Sequence, residues 1–328
     1  MPRLAVAMTP ERAADVCGAD TRALIEDRFQ VTWAGPDWAE GDLAALVADA
    51  DVVLTSWGTP RLDAALWADG SGPSVVAHAA GSVKKLVDPA ILDRGVAVFS
   101  AGGRIARSVG EYCLAAMLTL ARRLPRFDAA VRSGGWKQRE LRGRELAGQP
   151  VGVLGASSTA RALITLLAPF GCDVLVYDPY LGAEQAAALG VRVVSLDEAL
   201  SCPFVSVHVP DVPETRGLVS RALLERLPDG AILVNSARGP AVDQRALLEQ
   251  VLAGRVSAAL DVFDPEPPRL AADVLAAPNL LLTPHIAGDT AEGHRALAGY
   301  VLADALRWLD TGERGPSFVD PARWAIAA

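Results

Sequence analysis

Short apolar runs alternate with helix-patterned stretches along almost the whole chain, and this rhythm constrains the fold more than any other feature. RLAVAM, DVVLTS, SVVAHAA and VAVFS read as buried strands, and ERAADVC, GDLAALVADA and PAILDRG between them read as helices. Strands without a polar face, each followed by a helix, imply βαβ units and a parallel sheet. A second series begins near Pro150: PVGVLGA, DVLVYD, VRVVS, FVSVHV, AILVNSA, SAALDVF and NLLLTP. TARALITLLAPF and DQRALLEQVLAG are helical stretches between these strands. Two α/β domains with parallel sheets are therefore expected, and 328 residues are enough for both.

The two series are joined by SVGEYCLAAMLTLARRLPRFDAAVRSGGWKQRELRGREL. It opens with a long amphipathic helix, from about Ser108 to Arg123, and continues into a polar arm rich in Gly and Arg. So wide an apolar face must pack against something large, such as a domain junction or another subunit. A last long helix, about Thr290 to Leu309, is expected to return to the first domain and make it discontinuous. The expected boundaries are 1–104 with 291–328 for the first domain and 105–290 for the second, with the helix and arm at 105–148.

Bulk properties exclude several classes. A net charge of −8 disfavours nucleic acid as a partner. CLAAMLTLA is too short to span a bilayer, and MPRLAVAMTPERAAD reads as a strand and turn rather than a secretion signal. No membrane association is expected. Cys17, Cys113, Cys172 and Cys202 lack metal-ligand spacing, so reduced thiols in the cytoplasm, and no metal, are expected.

VGVLGASSTAR follows a strand and opens a helix, where a dinucleotide fingerprint would stand. Gly155 permits the tight turn, and Ala160 keeps the helix close to the sheet. Ser157 stands where the second glycine would be. It adds a Cβ beside the pyrophosphate but offers a hydroxyl, while the helix N-terminus still presents free N–H groups. Asp178, in VLVYDPY, closes the next strand at the position of a carboxylate that bonds the adenine ribose. It would repel a 2′-phosphate, so NAD is favoured over NADP. Alternatively, Asp178 caps the turn before Pro179.

Arg238 in VNSARG, Glu266 in LDVFDPEPP and His285 in LTPHIAG supply a fixed cation, a carboxylate and an imidazole. Reduction of a 2-keto acid by hydride needs that set. The cation holds the substrate carboxylate, the imidazole protonates the developing alkoxide, and the carboxylate orients the imidazole. Singly, each has a structural alternative: a loop salt bridge, a solvated carboxylate, a strand-end histidine.

These residues lie within longer matching strings: DRGVAVFSA, VGEYCLAAMLTLARRL, FGCDVLVYDPY, HVPDVPETRGLV, LPDGAILVNSARGPAVD, ALDVFDPEPP and NLLLTPHIAG. In this order and spacing the chain resembles the NAD-dependent D-2-hydroxyacid dehydrogenases. The resemblance implies a flavodoxin-like substrate domain and a doubly wound, Rossmann-type NAD-binding domain. It implies Arg238 as substrate ligand, His285 as acid/base and Glu266 as its partner. Gly155, Ser157, Ser158, Thr159, Ala160, Asp178, His208, Val209, Pro210, Ala237 and Gly288 would line the NAD site, and Asp261 would hold the nicotinamide carboxamide. The helix and arm would form a homodimer, with Trp136 as an anchor.

Two departures stand out. The loop expected to receive the substrate carboxylate on its backbone reads Ala80-Gly81-Ser82-Val83-Lys84-Lys85. Lys84 replaces a usual acidic residue there, either as a solvated loop lysine or as a cation for a second anionic group on the substrate. Val212 stands where Thr is common. His78 and His294 have no such company in the sequence and read as structural. The alternative function is a nucleotide-sensing scaffold like the corepressors that share this fold. A third reading, a methyltransferase on a Rossmann sheet, leaves Arg238, Glu266 and His285 unexplained.

Overall fold

A computed structural model describes residues 1–36, 38, 42–68, 70–137 and 141–326. Residues 138–140, part of the expected arm, lie outside the described residues. The chain separates into two compact units, Met1–Ile105 with Asp289–Ala328, and Ala106–Gly288.

The first unit carries β1 (Arg3–Ala7), β2 (Gln30–Trp33), β3 (Val52–Thr55), β4 (Val75–His78) and β5 (Ala97–Ser100). All pairings are parallel, in the order β2-β1-β3-β4-β5. This is the flavodoxin-like order. β1, β3, β4 and β5 are almost wholly buried, as their unbroken apolar runs require. β2 and the helix before it, Ala19–Arg28, were not expected from the sequence. β2 is an edge strand with no buried residue, and that helix buries only Thr21 and Ile25. Neither therefore has the apolar pattern that betrays a core element.

One face of this sheet packs under the C-terminal helix. Leu297, Ala298, Val301, Leu302, Ala305 and Leu306 meet Leu4, Val6, Leu54, Ala77 and Phe99 in a single core. The expected last helix is in fact two, Ala291–Arg295 and Leu297–Thr311, broken at Ala296. Beyond it, Phe318 makes an antiparallel bridge to Phe99 on the edge strand. Asp304 pins this return: it is buried, and its Oδ2 accepts from the Ser317 N–H (2.8 Å) and hydroxyl (2.6 Å).

The second unit carries β6 (Pro150–Leu154), β7 (Asp173–Tyr177), β8 (Arg192–Val193), β9 (Phe204–Val207), β10 (Ile232–Asn235), β11 (Ser257–Leu260) and β12 (Leu280–Leu282). They form one parallel sheet, β12-β11-β10-β9-β6-β7-β8. This is the doubly wound order, and the strand sequence reverses between β6 and β9. A ligand belongs in the crevice at the carboxyl ends of those two strands.

The joining helix begins earlier than its apolar stretch suggests, at Gly102, and runs to Ala121. The arm after it is not wholly irregular. Leu124–Arg132 is helical, with Leu124, Phe127 and Val131 at helical spacing, but it buries none of its residues. Among the described residues no helix is long and apolar enough to cross a membrane.

Candidate active site

The fingerprint turn sits at the strand reversal. Gly155 has φ +94°, and a Cβ there would lie 2.9 Å from the His208 carbonyl oxygen. The turn is thus built by backbone meeting backbone, which only glycine allows. Ser157 is the N-cap of helix Ser158–Leu167, and its hydroxyl accepts from Ala160 N–H at 3.5 Å. Ser158 is exposed and Ala160 fully buried. Asp178 lies against this turn: Oδ2 accepts from Ala156 N–H and Oδ1 from Tyr180 N–H, each at 2.7 Å. It therefore does cap the Pro179 turn, and it also ties that turn to the fingerprint. Each oxygen retains a second lone pair. The glycine cradle, the open N-terminus of a ten-residue helix and a carboxylate beside them fit a dinucleotide.

His208 follows β9 and is buried. Its Nδ1 lies 2.9 Å from the Thr159 hydroxyl and its Nε2 2.9 Å from the Ser206 hydroxyl. Burial pushes its pKa down to about 3, so the ring is neutral. Val209 is also buried, and Pro210 presents its carbonyl to the Thr215 hydroxyl.

The three residues singled out for catalysis arise from neighbouring strand ends of this unit. Arg238 follows β10. Asn235 fixes that turn, donating from Nδ2 to the Arg238 carbonyl (3.0 Å) and accepting from Ala237 N–H (3.1 Å). Arg238 donates from Nη1 to the Ala237 carbonyl at 2.7 Å. The next residue, Gly239, was not singled out by the sequence, yet its place is the tightest of the site. A Cβ on it would fall 2.1 Å from the Phe263 carbonyl oxygen. The Arg238 loop thereby lies directly on the loop after β11.

That second loop carries Glu266, between two cis peptide bonds, Asp264–Pro265 and Glu266–Pro267. Glu266 Oε1 accepts from Phe263 N–H (3.0 Å), and Oε2 lies 2.9 Å from His285 Nδ1. Partial burial raises the pKa of Glu266. The His285 and Phe263 hydrogen bonds and the charges of His285 and Arg238 outweigh it, so the net shift is downward. The carboxylate stays ionised.

His285 follows β12 in a left-handed conformation, φ 57°, uncommon for a residue with a side chain. Asp261 is the reason it holds. His285 N–H donates to the Asp261 carbonyl at 2.8 Å. The Asp261 carboxylate, fully buried, accepts from the Thr283 hydroxyl (2.7 Å), Ile286 N–H (2.8 Å) and Ala287 N–H (2.9 Å). Tyr112 adds a bond to Thr283 at 2.6 Å. Asp261 thus organises the loop that presents His285 and leads into Gly288. Nothing in its sequence position, apart from the resemblance, signalled this.

In the other unit, Ala80, Gly81, Ser82 and Lys84 follow β4. Ala80 is buried and its carbonyl accepts from Ala101 N–H at 3.0 Å. Ser100 donates to the Gly81 carbonyl. Gly81, Ser82 and Lys84 are half-buried, and Lys84 N–H meets the Ser82 hydroxyl at 3.5 Å. His294, read as structural, lies 3.0 Å from Asp15 and 3.4 Å from Asp289. Those partners are too distant in sequence, or too ordinary, to have been foreseen. Among the described residues no cluster is placed to hold a metal ion.

Residues 114–287 match the model of the D-isomer specific 2-hydroxyacid dehydrogenase, NAD binding domain. The chain is 36% identical over 310 residues to a D-3-phosphoglycerate dehydrogenase of Mycobacterium bovis, covering 94% of this chain. The chain belongs to the D-isomer-specific 2-hydroxyacid dehydrogenase family. A hydroxypyruvate reductase of Thermotoga maritima is 32% identical over 77% of the chain and 83% of the relative's own length. The match to the mycobacterial dehydrogenase spans only 58% of that relative's length. Among solved structures, a phosphoglycerate oxidoreductase from Rhizobium etli superposes with a TM-score of 0.83 over 97% of this chain and 98% of its own. At 23% identity that match speaks for the fold.

Proposed function

We propose that the protein interconverts a 2-keto acid and a D-2-hydroxy acid with NAD(H). The observation that carries this reading is the fixed Glu266–His285 pair. Glu266 occupies Nδ1, so Nε2 is the nitrogen left to give or take a proton. An ionised carboxylate at Nδ1 stabilises the imidazolium that protonates an alkoxide. Arg238 spends one N–H on Ala237. Its remaining donors are free in number to hold a substrate carboxylate and polarise the adjacent carbonyl. The nicotinamide, when bound, supplies the hydride. Gly155, Ser157, Ser158, Thr159, Ala160, His208, Val209, Pro210, Ala237, Asp261 and Gly288 are the residues proposed to hold NAD, with Asp178 toward the ribose. The Asp178 charge disfavours a 2′-phosphate, hence NAD over NADP. Ala80, Gly81, Ser82 and Lys84 form the loop proposed to bind substrate anions. The scaffold alternative draws support from neither the site nor the relatives.

His285→Ala should lower kcat roughly a hundredfold or more, since general acid catalysis contributes about that much. NADH affinity should stay as in wild type. Near-normal turnover of His285→Ala on a panel of small 2-keto acids, phosphorylated and not, would overturn the assignment.

The proposal extends to a cytoplasmic homodimer. All four cysteines are free thiols, which suits a reducing compartment. Leu124, Val131 and Trp136 are large apolar side chains left exposed on the arm, Trp136 by 79%. They suit a subunit contact in which Trp136 is an anchor. A solution mass of one chain at micromolar concentration would exclude the dimer.

A further inference from the structure

The polar side chains beneath the dinucleotide turn form one continuous chain. Ser157 Oγ lies 2.9 Å from Thr159 Oγ1, Thr159 Oγ1 lies 2.9 Å from His208 Nδ1, and His208 Nε2 lies 2.9 Å from Ser206 Oγ. The Cys113 thiol, whose Sγ lies 3.1 Å from Ser236 Oγ, stands beside Ser206. The chain runs from the turn after β6 to Ser206 on β9. His208, Ser206 and Cys113 are buried, so no bulk water interrupts it.

Every member is neutral. Burial holds the His208 pKa near 3 and lifts the Cys113 thiol to about 11. Each hydroxyl, the thiol and the neutral imidazole then carries one mobile proton and can also accept. Such a chain has two cooperative directions. In one, His208 bears its proton on Nδ1 and donates to Thr159, Thr159 donates to Ser157, and the Ser157 O–H is released to point outward. In the other, Ser157 donates to Thr159, Thr159 donates to Nδ1, and the imidazole proton sits on Nε2, facing Ser206. Ser157 then offers only lone pairs to whatever occupies the turn.

A diphosphate accepts hydrogen bonds and gives none. Ser157 stands where the fingerprint would have its second glycine, so its hydroxyl meets that anion as a donor or repels it. We infer that a bound dinucleotide selects the direction with His208 protonated on Nδ1, which makes Thr159 and His208 positioning residues for the Ser157 hydroxyl. The inference rests on the NAD reading of this domain. It explains why a threonine, rather than an apolar residue, is useful at a helix position facing a buried histidine.

The experiment uses the full chain with isotope-labelled histidine and NAD+. Nitrogen shifts of the two His208 ring atoms in the bound protein should show the Nδ1–H tautomer. Thr159→Val cuts the chain and should weaken NAD+ binding about tenfold, the lower end for a hydrogen bond to a charged group. Thr159→Ser should restore both affinity and tautomer. A mere loss of packing would not be mended by the smaller serine. Bound protein with the Nε2–H tautomer, or Thr159→Val binding NAD+ as tightly as wild type, would overturn the inference. Wild-type protein that fails to bind NAD+ at all would instead sink the cofactor reading. If Thr159→Val misfolds, the bound-state tautomer and Thr159→Ser still decide.

Discussion

At the end of β9, His208 is buried and bonded on both nitrogens to hydroxyls. Across the same sheet, beyond β12, the His285 side chain is 52% exposed and bonded to a carboxylate. The two strand ends use one residue type in opposite ways. Burial without a counter-charge makes His208 a fixed, neutral part of the turn's frame. His285 has instead a carboxylate partner and access to solvent, as the proposed acid/base needs. Both regions are assembled the same way, by a glycine whose missing Cβ lets one loop lie on another. The spacing differs: 2.9 Å to the His208 carbonyl for a Cβ on Gly155, and 2.1 Å to the Phe263 carbonyl for one on Gly239. The charged end is therefore the less forgiving of the two.

The largest effect should come from testing that tightness. Gly239→Ala must push the Arg238 loop off the Glu266 loop. A displacement of about 1 Å can cost about a hundredfold in rate. kcat/KM for keto-acid reduction should fall by at least roughly that factor while NADH still binds. Equal damage to NADH binding would show that the two regions are not separable.

A smaller effect should mark the buried, neutral kind of histidine. His208 is held near 3, and His78, buried in the first unit, is lowered to about 4, both chiefly by burial. Their ordinary value is 6.5. As pH falls below that value the unfolded chain takes up protons that the folded one refuses. Stability is therefore lost from about pH 6.5 downward toward the folded values. At pH 5 each should cost about 2 kcal/mol. Urea unfolding at pH 7 and pH 5 measures this, and His78→Gln should remove one share of the loss. Identical stability at the two pH values would contradict the neutral assignment.

The smallest effect sharpens the other side. Glu266→Gln keeps a hydrogen-bond acceptor but removes the charge that favours the imidazolium. kcat for keto-acid reduction should fall severalfold, since a neutral amide stabilises the imidazolium formed during proton transfer less than a carboxylate does. An unchanged kcat would mean that the pair only orients His285.

Much of this was legible in the residues themselves. Buried parallel strands are runs of Val, Leu and Ala, and five of the second sheet's seven strands are largely buried in this way; VRVVS yields only the two exposed residues of β8, and β12 is half-buried. What escaped notice has little burial to reveal it: the edge strand Gln30–Trp33 and the solvent-facing helix Leu124–Arg132. In the site, Arg238, Glu266 and His285 could be read because few reactions need that set. Gly239 could not, since nothing in SARGP tells which backbone it approaches. Asp178 was visible as a carboxylate able to cap the Pro179 turn, as its bond from Tyr180 N–H does, but its bond from Ala156 N–H depends on how two loops meet. His294 met partners 279 and five positions away, a pairing that only the folded chain creates.

The return of the last helix to the first sheet has a consequence for how the chain is made. Leu297, Val301, Leu302 and Ala305 cover a sheet face whose strands all precede residue 101. On a ribosome those strands emerge first and wait for their cover. At about 5–20 residues per second the wait lasts roughly 10–40 s. The second unit, continuous in sequence, can finish folding in the meantime. Proteolysis of chains stalled before Leu297 is where the delay would be read, with the first hundred residues digested and the later unit resistant. For that interval the nascent protein carries a bare apolar sheet, and any cell that makes it must keep that surface from finding another.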